Sequence, residues 1–319
     1  MELFRVIKPG FFTTVQDLGR HGFLRFGVPI SGAMDKYAFT CANALVGNQA
    51  DSACLEVTLI GPELEALDDA QIAITGADFS VTVNQNSVPL WQTLSVKKGD
   101  KIAFVGSARN GCRAYLAVEG GIDVPVILGS RSTYVRGGFG GIEGRALKSG
   151  DLIRVLEPHL PHETNLVTPS DLIPSYEKEF TVNAVMGPQE DVFTAEGIET
   201  FFSSTYTVTP ESDRMGYRLD GAVIERKVMS ELVTDALIPG AVQVLGSGKP
   251  IVLMADAQTS GGYPKIATIT TAGVSRLAQA RPGDRVRFVK VSLTHARAEF
   301  LEFNRVLSGL AARLIGQPF

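Results

Sequence analysis

Between Met254 and Ile266 the chain reads Met-Ala-Asp-Ala-Gln-Thr-Ser-Gly-Gly-Tyr-Pro-Lys-Ile. One short stretch thus gathers an acid (Asp256), a carboxamide (Gln258), two hydroxyls (Thr259, Ser260), a phenol (Tyr263) and an ammonium (Lys265). Such a set can hydrogen-bond a small polar substrate and stabilise charge that develops on it. A polar hairpin connection whose groups cap one another would use the same residues. Two more stretches carry comparable chemistry. Asp17 and Arg20 lie in Gln16-Asp17-Leu18-Gly19-Arg20, followed by a glycine-punctuated run that ends at Asp35. Arg214 and Arg218 lie in Ser212–Leu219, and paired guanidinium forks suit carboxylates or phosphates. A local ion pair is the plainer reading of Asp17 and Arg20, and a solvated turn that of the arginines.

The elements that must position these residues are mostly strands. Ile251–Ala255 is continuously apolar and Lys265–Thr271 is rich in β-branched residues, so both read as buried strands around the polar loop. Leu3–Ile7, Leu55–Ile60, Gln71–Thr75, Val81–Asn84, Lys101–Val105, Ala114–Val118 and Phe180–Met186 read as further strands. Gly-Asp immediately precedes an alternating strand three times, at Gly99-Asp100, Gly150-Asp151 and Gly283-Asp284. That repetition, with no βαβ rhythm, predicts barrel-like β-architecture. Three helices are expected. One follows a cap at Ser31 with Met34, Tyr37, Ala38, Cys41, Ala42 and Leu45 on its buried stripe. Another lies around Glu190–Phe202, and an amphipathic helix over Leu293–Ile315 buries Leu293, Ala296, Phe300, Leu310 and Leu314. Four prolines between 157 and 179 mark a boundary. The expected organisation is an N-terminal β lobe over 1–157, a Pro-rich linker over 158–179, and a C-terminal β lobe with the terminal helix over 180–319.

Composition narrows the function classes. The 319 residues are 45% hydrophobic and 20% charged, with 33 glycines and 16 prolines for many turns. Thirty basic against 34 acidic residues leave a net charge of −4 without a basic cluster, which argues against nucleic acid as a partner. Cys41, Cys54 and Cys112 form no C-x-x-C pair, so neither a disulfide framework nor a zinc site is indicated. No signal-peptide core or membrane-length apolar run is read, so a cytoplasmic, membrane-free protein is expected. His159 and His162 have H-x-x-H spacing, but in a proline-broken segment they have no rigid face to offer a metal, and no metal site is expected. Gly246-Ser247-Gly248-Lys249-Pro250 fails as a phosphate-binding loop. Gln243 stands where that motif needs glycine, and Pro250 where it needs Ser or Thr.

Three long stretches together resemble one family: Gln16–Arg20 with Gly27–Asp35, Ala114–Tyr134, and Ser212–Leu219 with Asp256–Ile266. The chain is similar over roughly residues 3–290 to the biotin-dependent carboxyltransferase, or allophanate hydrolase subunit 2, family. Of its members it is most like the C-type subunit of 5-oxoprolinase. The resemblance implies a mainly β protein with a few helices, built as cyclophilin-like β-barrels in two lobes. It implies a companion subunit 1-type protein, with a third subunit in the oxoprolinase assembly. There ATP is a co-substrate of the complex whose site is not visible in this chain. No Ala-Met-Lys-Met biotin attachment site is present. The chain departs from the family pattern at Ala257 and Ser260, where arginine and threonine are expected, and at Leu245-Gly246, where two prolines are usual.

On this reading the substrate is a small cyclic or planar amide. Lys265 would stabilise charge on the amide oxygen, and Asp256 would orient the amide N–H or act as base. Gln258 and Tyr263 would hydrogen-bond the substrate and Arg214 and Arg218 would hold a carboxylate. Asp17, Arg20 and Asp35 are further substrate-binding candidates at the same site or where two subunits meet. The alternatives are the carboxyltransferase half of a biotin-dependent urea carboxylase system, and a non-catalytic regulator that binds a subunit 1-type inhibitor protein.

Overall fold

The computed structural model describes residues 1–156, 165–227 and 233–314. His159 and His162 lie outside the described residues. The chain divides into two compact units. The first comprises residues 1–20, 31–176 and 306–319, and the second comprises 21–30 and 177–305.

Among the described residues of the first unit, eleven strands form two antiparallel sheets. They are β1 (Glu2–Lys8), β2 (Phe12–Gln16), β3 (Cys54–Thr58), β4 (Glu63–Ala66), β5 (Ala70–Gly76), β6 (Ser80–Val83), β7 (Asn86–Val88), β8 (Thr93–Val96), β9 (Lys101–Val105), β10 (Arg113–Val118) and β11 (Leu152–Arg154). One sheet runs β11-β1-β4-β9-β6-β7 and the other β2-β3-β10-β5-β8. Their inner faces share one core: Phe4, Val6, Leu64 and Ile102 come from the first sheet, and Leu55, Ile74 and Leu116 from the second. Helix α1 (Lys36–Leu45) packs on the outer face of the second sheet, where Phe39 meets Tyr115 edge-on. Its cap is Asp35, not Ser31. The Asp35 carboxylate accepts from the Tyr37 and Ala38 amides, whereas Ser31 sits at φ 55°, before the helix begins.

In the second unit seven strands close a barrel in the order β12 (Glu179–Met186), β19 (Lys265–Ile269), β16 (Ala241–Val244), β17 (Pro250–Leu253), β14 (Gly216–Asp220), β13 (Thr205–Val208) and β20 (Arg285–Lys290). A parallel pairing of β12 with β20 makes the closure. A two-stranded ribbon, β15 (Asp235–Ala236) with β18 (Ser260–Gly261), stands beside it. The helix expected over Glu190–Phe202 is shorter. A 3₁₀ turn covers Glu190–Val192, and α2 (Ala195–Ser203) starts only after Thr194, whose side chain caps the Gly197 amide. Helix α3 (Thr271–Leu277) has the same kind of cap from Thr270. Helix α4 (Leu293–Leu314) exists as expected, but its apolar stripe is not buried throughout. Leu310 and Leu314 are buried, while Leu293 is 74% exposed and Phe300 45% exposed.

The three Gly-Asp turns are one device used three times. Gly99, Gly150 and Gly283 adopt φ of 90°, 89° and 93°, which an L side chain resists. Each following aspartate accepts the backbone N–H three residues upstream: Asp100 from Lys97 (2.7 Å), Asp151 from Lys148 (2.7 Å) and Asp284 from Arg281 (2.8 Å). Each turn also trades two backbone hydrogen bonds with one strand residue, namely Ala66, Val6 and Val208. The recurrence seen in sequence is therefore a turn that docks on a neighbouring strand.

Candidate functional site

The polar loop after β17 belongs to the second unit, and local backbone chemistry fixes it. Met254 and Asp256 donate backbone N–H bonds to the Met215 and Arg214 carbonyls (3.0 and 2.8 Å), which tie the loop to the segment before β14. The side chains repeat that link. Arg214 Nε and Nη2 donate to Asp256 Oδ2 and Oδ1 at 2.9 and 3.1 Å, a two-pronged ion pair between buried groups. Asp256 therefore has a cation although Ala257 is not one. Ala257 packs in a small apolar cluster with Leu237, Ala241 and Leu253. With both oxygens bonded to one guanidinium, the Asp256 carboxylate is fixed in orientation. Arg218, by contrast, is an exposed residue of β14 paired in register with Ile251. Arg214 and Arg218 thus have different surroundings, one buried on a carboxylate and one at the surface.

Lys265 opens β19 and is buried. Its ammonium donates to Asp235 Oδ2 and to the Ala236 carbonyl (3.0 Å), both on the ribbon strand β15. The Lys265 bond, first among the causes, holds the Asp235 carboxyl below its ordinary value. Gln189 completes the arrangement: its Oε1 accepts the Lys265 amide at 3.1 Å and its Nε2 donates to Asp235 at 3.2 Å. The neighbouring Gln243 is buried and donates to the Tyr263 carbonyl at 3.2 Å. Gly261 is needed where these amides converge, since a Cβ there would meet Leu237 Cδ1 at 2.9 Å and Gln243 Nε2 at 3.2 Å. Gln258 and Tyr263 are exposed on the same loop and can reach a ligand from solvent. The failed phosphate-loop sequence is a hairpin turn between β16 and β17, in which Lys249 pairs with Asp220 at 2.8 Å.

The other candidates lie in the first unit. Asp17 is buried, and its Oδ1 accepts from Gly19 N (2.7 Å), Ser130 Oγ (2.7 Å) and Ser132 Oγ. Its Oδ2 accepts the backbone N–H of Arg131. The carboxylate is thus the organising centre of the 130–132 loop. Gly32 must be glycine beside it, because a Cβ would lie 2.7 Å from Gly19 N. Arg20 is fully buried, donates to the Ser132 carbonyl and stacks on Phe139 at 4.9 Å. Asp35 caps α1, and its backbone N–H donates to Tyr115 Oη at 2.8 Å. Tyr115 in turn donates to Glu56 Oε2 at 2.8 Å, and burial, then the Glu56 charge, pushes its phenol well above the usual range. These are binding-type residues put to use inside the loop framework.

A model of the carboxyltransferase domain, subdomain A and B, matches residues 26–290. The chain belongs to the carboxyltransferase family. This carboxyltransferase-family chain is 39% identical over 312 residues to the C-type subunit of Escherichia coli 5-oxoprolinase, across 98% of this chain and 99% of the relative. The corresponding 5-oxoprolinase subunit of Haemophilus influenzae is 38% identical across 89% of both chains. Among solved structures, Kluyveromyces lactis urea amidolyase superposes with a TM-score of 0.91 at 34% identity, covering 97% of this chain and 20% of that one.

Sequence reasoning missed Asp235, Gln189 and Gln243, which lie far from Lys265 in the chain and carry no motif. It also missed the role of Ser130, Arg131 and Ser132. Their signal was present in the Gly-Ser-Arg-Ser-Thr run, but their partner, Asp17, is more than a hundred residues away.

Proposed function

We propose that this chain is the carboxyltransferase-family subunit of an ATP-dependent 5-oxoprolinase, which converts 5-oxo-L-proline, ATP and water to L-glutamate, ADP and phosphate. The observation that carries this reading is the end-to-end match to the Escherichia coli 5-oxoprolinase subunit, over 98% of this chain and 99% of that one. Activity would need a companion subunit 1-type protein and a third subunit, and ATP would enter as co-substrate of that complex. The protein would work in the cytoplasm.

In this reading the lactam lies at the rim built by the Asp256–Lys265 loop. Lys265, freed from or sharing Asp235, stabilises charge that develops on the amide oxygen. Asp256, braced by Arg214, orients the amide N–H, and Gln258 and Tyr263 hydrogen-bond the substrate. Arg218 offers its guanidinium to the substrate carboxylate from the surface. Asp17 and Arg20 act through the 130–132 loop and Asp35 through the start of α1. The test is to combine the chain with its companion subunits and follow L-glutamate release from 5-oxo-L-proline. Release that requires this chain and ATP supports the reading, and no release from a fully assembled complex overturns it.

A second reading is the carboxyltransferase half of a biotin-dependent urea carboxylase. The close superposition on Kluyveromyces lactis urea amidolyase favours it. Carboxylation of urea by this chain with a carboxybiotin donor, without turnover of 5-oxoproline, would select it.

A further inference from the structure

Three carboxamides lie around the root of Lys265 in the second unit, and the fold uses them differently. Gln189 is fully engaged, with Oε1 on the Lys265 amide and Nε2 on Asp235. Gln258 is exposed. Gln243 is only 2% exposed, and among the described residues its side chain makes one bond, from Nε2 to the Tyr263 carbonyl at 3.2 Å. A carboxamide carries two N–H donors and an acceptor oxygen. Gln243 therefore keeps one N–H and its oxygen uncommitted in surroundings where polar groups are ordinarily paired. Unlike Gln16 Oε1, which is sealed off without a partner, the Gln243 oxygen keeps accessible surface.

The backbone brings this half-used group beside Lys265. In the pairing of β16 with β19, Val242 stands opposite Ala267 and Gln243 opposite Lys265, so Ile266 is the extra residue of a bulge. A regular ladder would set Ile266 opposite Gln243. Bulges of this kind re-aim side chains next to functional sites. Gly261 then keeps the space in front of Gln243 clear. A Cβ there would lie 3.2 Å from Gln243 Nε2 and 3.8 Å from Gln258 Nε2, and none is present. Lys265 spends two ammonium protons on Asp235 and the Ala236 carbonyl, and its third has no acceptor among the described residues. Asp256 has both oxygens on Arg214, so it serves an amide N–H only through the loop it anchors.

An amide closed in a small ring presents N–H and C=O on the same edge, whereas an open-chain secondary amide is trans and presents them on opposite edges. The free edge of Gln243, an oxygen beside an N–H, is the complement of the ring edge. Two parallel hydrogen bonds join them, ring N–H to Oε1 and Nε2–H to the ring oxygen. That oxygen has a second lone pair, which is left for Lys265. We infer that Gln243 is a substrate-binding residue that selects a lactam by its syn amide edge. The inference rests on the oxoprolinase reading and adds to it the group that reads the ring nitrogen. Its burial and its bond to the Tyr263 carbonyl hold Gln243 ready, which keeps the entropy cost of binding low.

The test compares 5-oxo-L-proline with its N-methyl derivative, which has no N–H to donate, in equilibrium binding to the complex assembled with its companion subunits and without ATP. The unmodified complex binds 5-oxo-L-proline at least tenfold more tightly, because the methylated ring leaves the Gln243 oxygen unpaired. In Gln243→Met, which keeps the length of the side chain, that preference shrinks at least fivefold, and KM for 5-oxo-L-proline rises more than kcat falls. Equal binding of the two ligands by the unmodified complex overturns the inference and needs no variant. An undiminished preference in a folded, assembled Gln243→Met complex overturns it too. In either case continued ATP-dependent L-glutamate release leaves the oxoprolinase reading standing. An assembled complex that releases no L-glutamate overturns that reading and the inference with it.

Discussion

Arg214 grips Asp256 with two parallel hydrogen bonds, 2.9 Å from Nε to Oδ2 and 3.1 Å from Nη2 to Oδ1, with both side chains more than nine-tenths buried. Forty-two residues separate them in sequence, yet the backbone N–H of Asp256 also donates to the Arg214 carbonyl. The loop that carries Gln258, Tyr263 and Lys265 is therefore anchored at its root by a charge pair that water does not screen.

Removing one member of that pair leaves an uncompensated buried charge. Asp256→Ala is expected to cost about 3–5 kcal/mol of folding stability, the usual penalty for orphaning one partner of a buried ion pair. Urea denaturation measures it. A loss below about 1 kcal/mol, the range of an exposed pair, would mean that the anchor is not what holds the loop.

If the oxoprolinase reading proposed above holds, Lys265→Met lowers lactam hydrolysis by at least tenfold in an assembled complex, because Lys265 is on that reading the cation at the amide oxygen. The same substitution has a readout that needs no activity. Asp235 has its carboxyl held low by Lys265, so in Lys265→Met its titration, followed by carbon NMR, should move up toward the ordinary carboxylate value of about 3.9. The sign follows from that depression. The contact stabilises the fold fully at neutral pH and above about 4, and it is lost as pH falls through the lowered folded-state value. An Asp235 titration identical in the two proteins would remove the Lys265–Asp235 contact from the account.

Asp17→Asn keeps the size of the side chain but weakens an acceptor that serves Gly19, Ser130, Ser132 and Arg131 at once. Bonds to a charged acceptor are worth about 1.5–3 kcal/mol each, and an amide puts a donor where one of them stood. The expected result is a drop of a few kcal/mol in stability together with faster amide hydrogen exchange at Arg131 and Gly141. Unchanged exchange there would show that the loop holds itself.

The three Gly-Asp turns permit an internal comparison. Asp100→Ala, Asp151→Ala and Asp284→Ala each remove a bond to an upstream backbone N–H. Asp151 also holds Arg145 through Nη1 and Nη2 at 2.7 and 3.0 Å. Asp151→Ala should therefore destabilise more than Asp284→Ala, by about 1 kcal/mol on the scale of charged hydrogen bonds, while Asp100→Ala also loses the bond from Asn84 Nδ2 at 2.7 Å. Thermal melts rank the three, and equal losses for Asp151→Ala and Asp284→Ala would show that the Arg145 contact contributes nothing.

Local chemistry makes most of the strands legible. Lys101–Val105 is readable to the residue, and Gly99, Gly150 and Gly283 are recognisable because tight turns need φ > 0. Boundaries slip where two groups compete for one task. Ser31 and Asp35 are both good caps, and only the packing of the 17–33 segment, with Ala33 N on the Asp17 carbonyl at 2.8 Å, selects Asp35. The 3.6-residue period of α4 could not reveal that its buried positions, Leu310 and Leu314, lie at its C-terminal end.

The same division runs through the loop at Met254–Ile266. Sequence alone determined that an acid, an amide, a phenol and an ammonium sit on one glycine-hinged connection between buried strands, because residue type and strand period are local properties. It also determined the family, since long motifs in a fixed order are a property of the chain. Tertiary structure alone decided what each group touches. Asp256 faces Arg214, Lys265 faces Asp235, and Asp17 holds Arg131, over separations of 42, 30 and 114 residues. Those partners are set by strand register and barrel closure, and a hydrogen bond reports where two chain segments arrive in space, which no local pattern encodes.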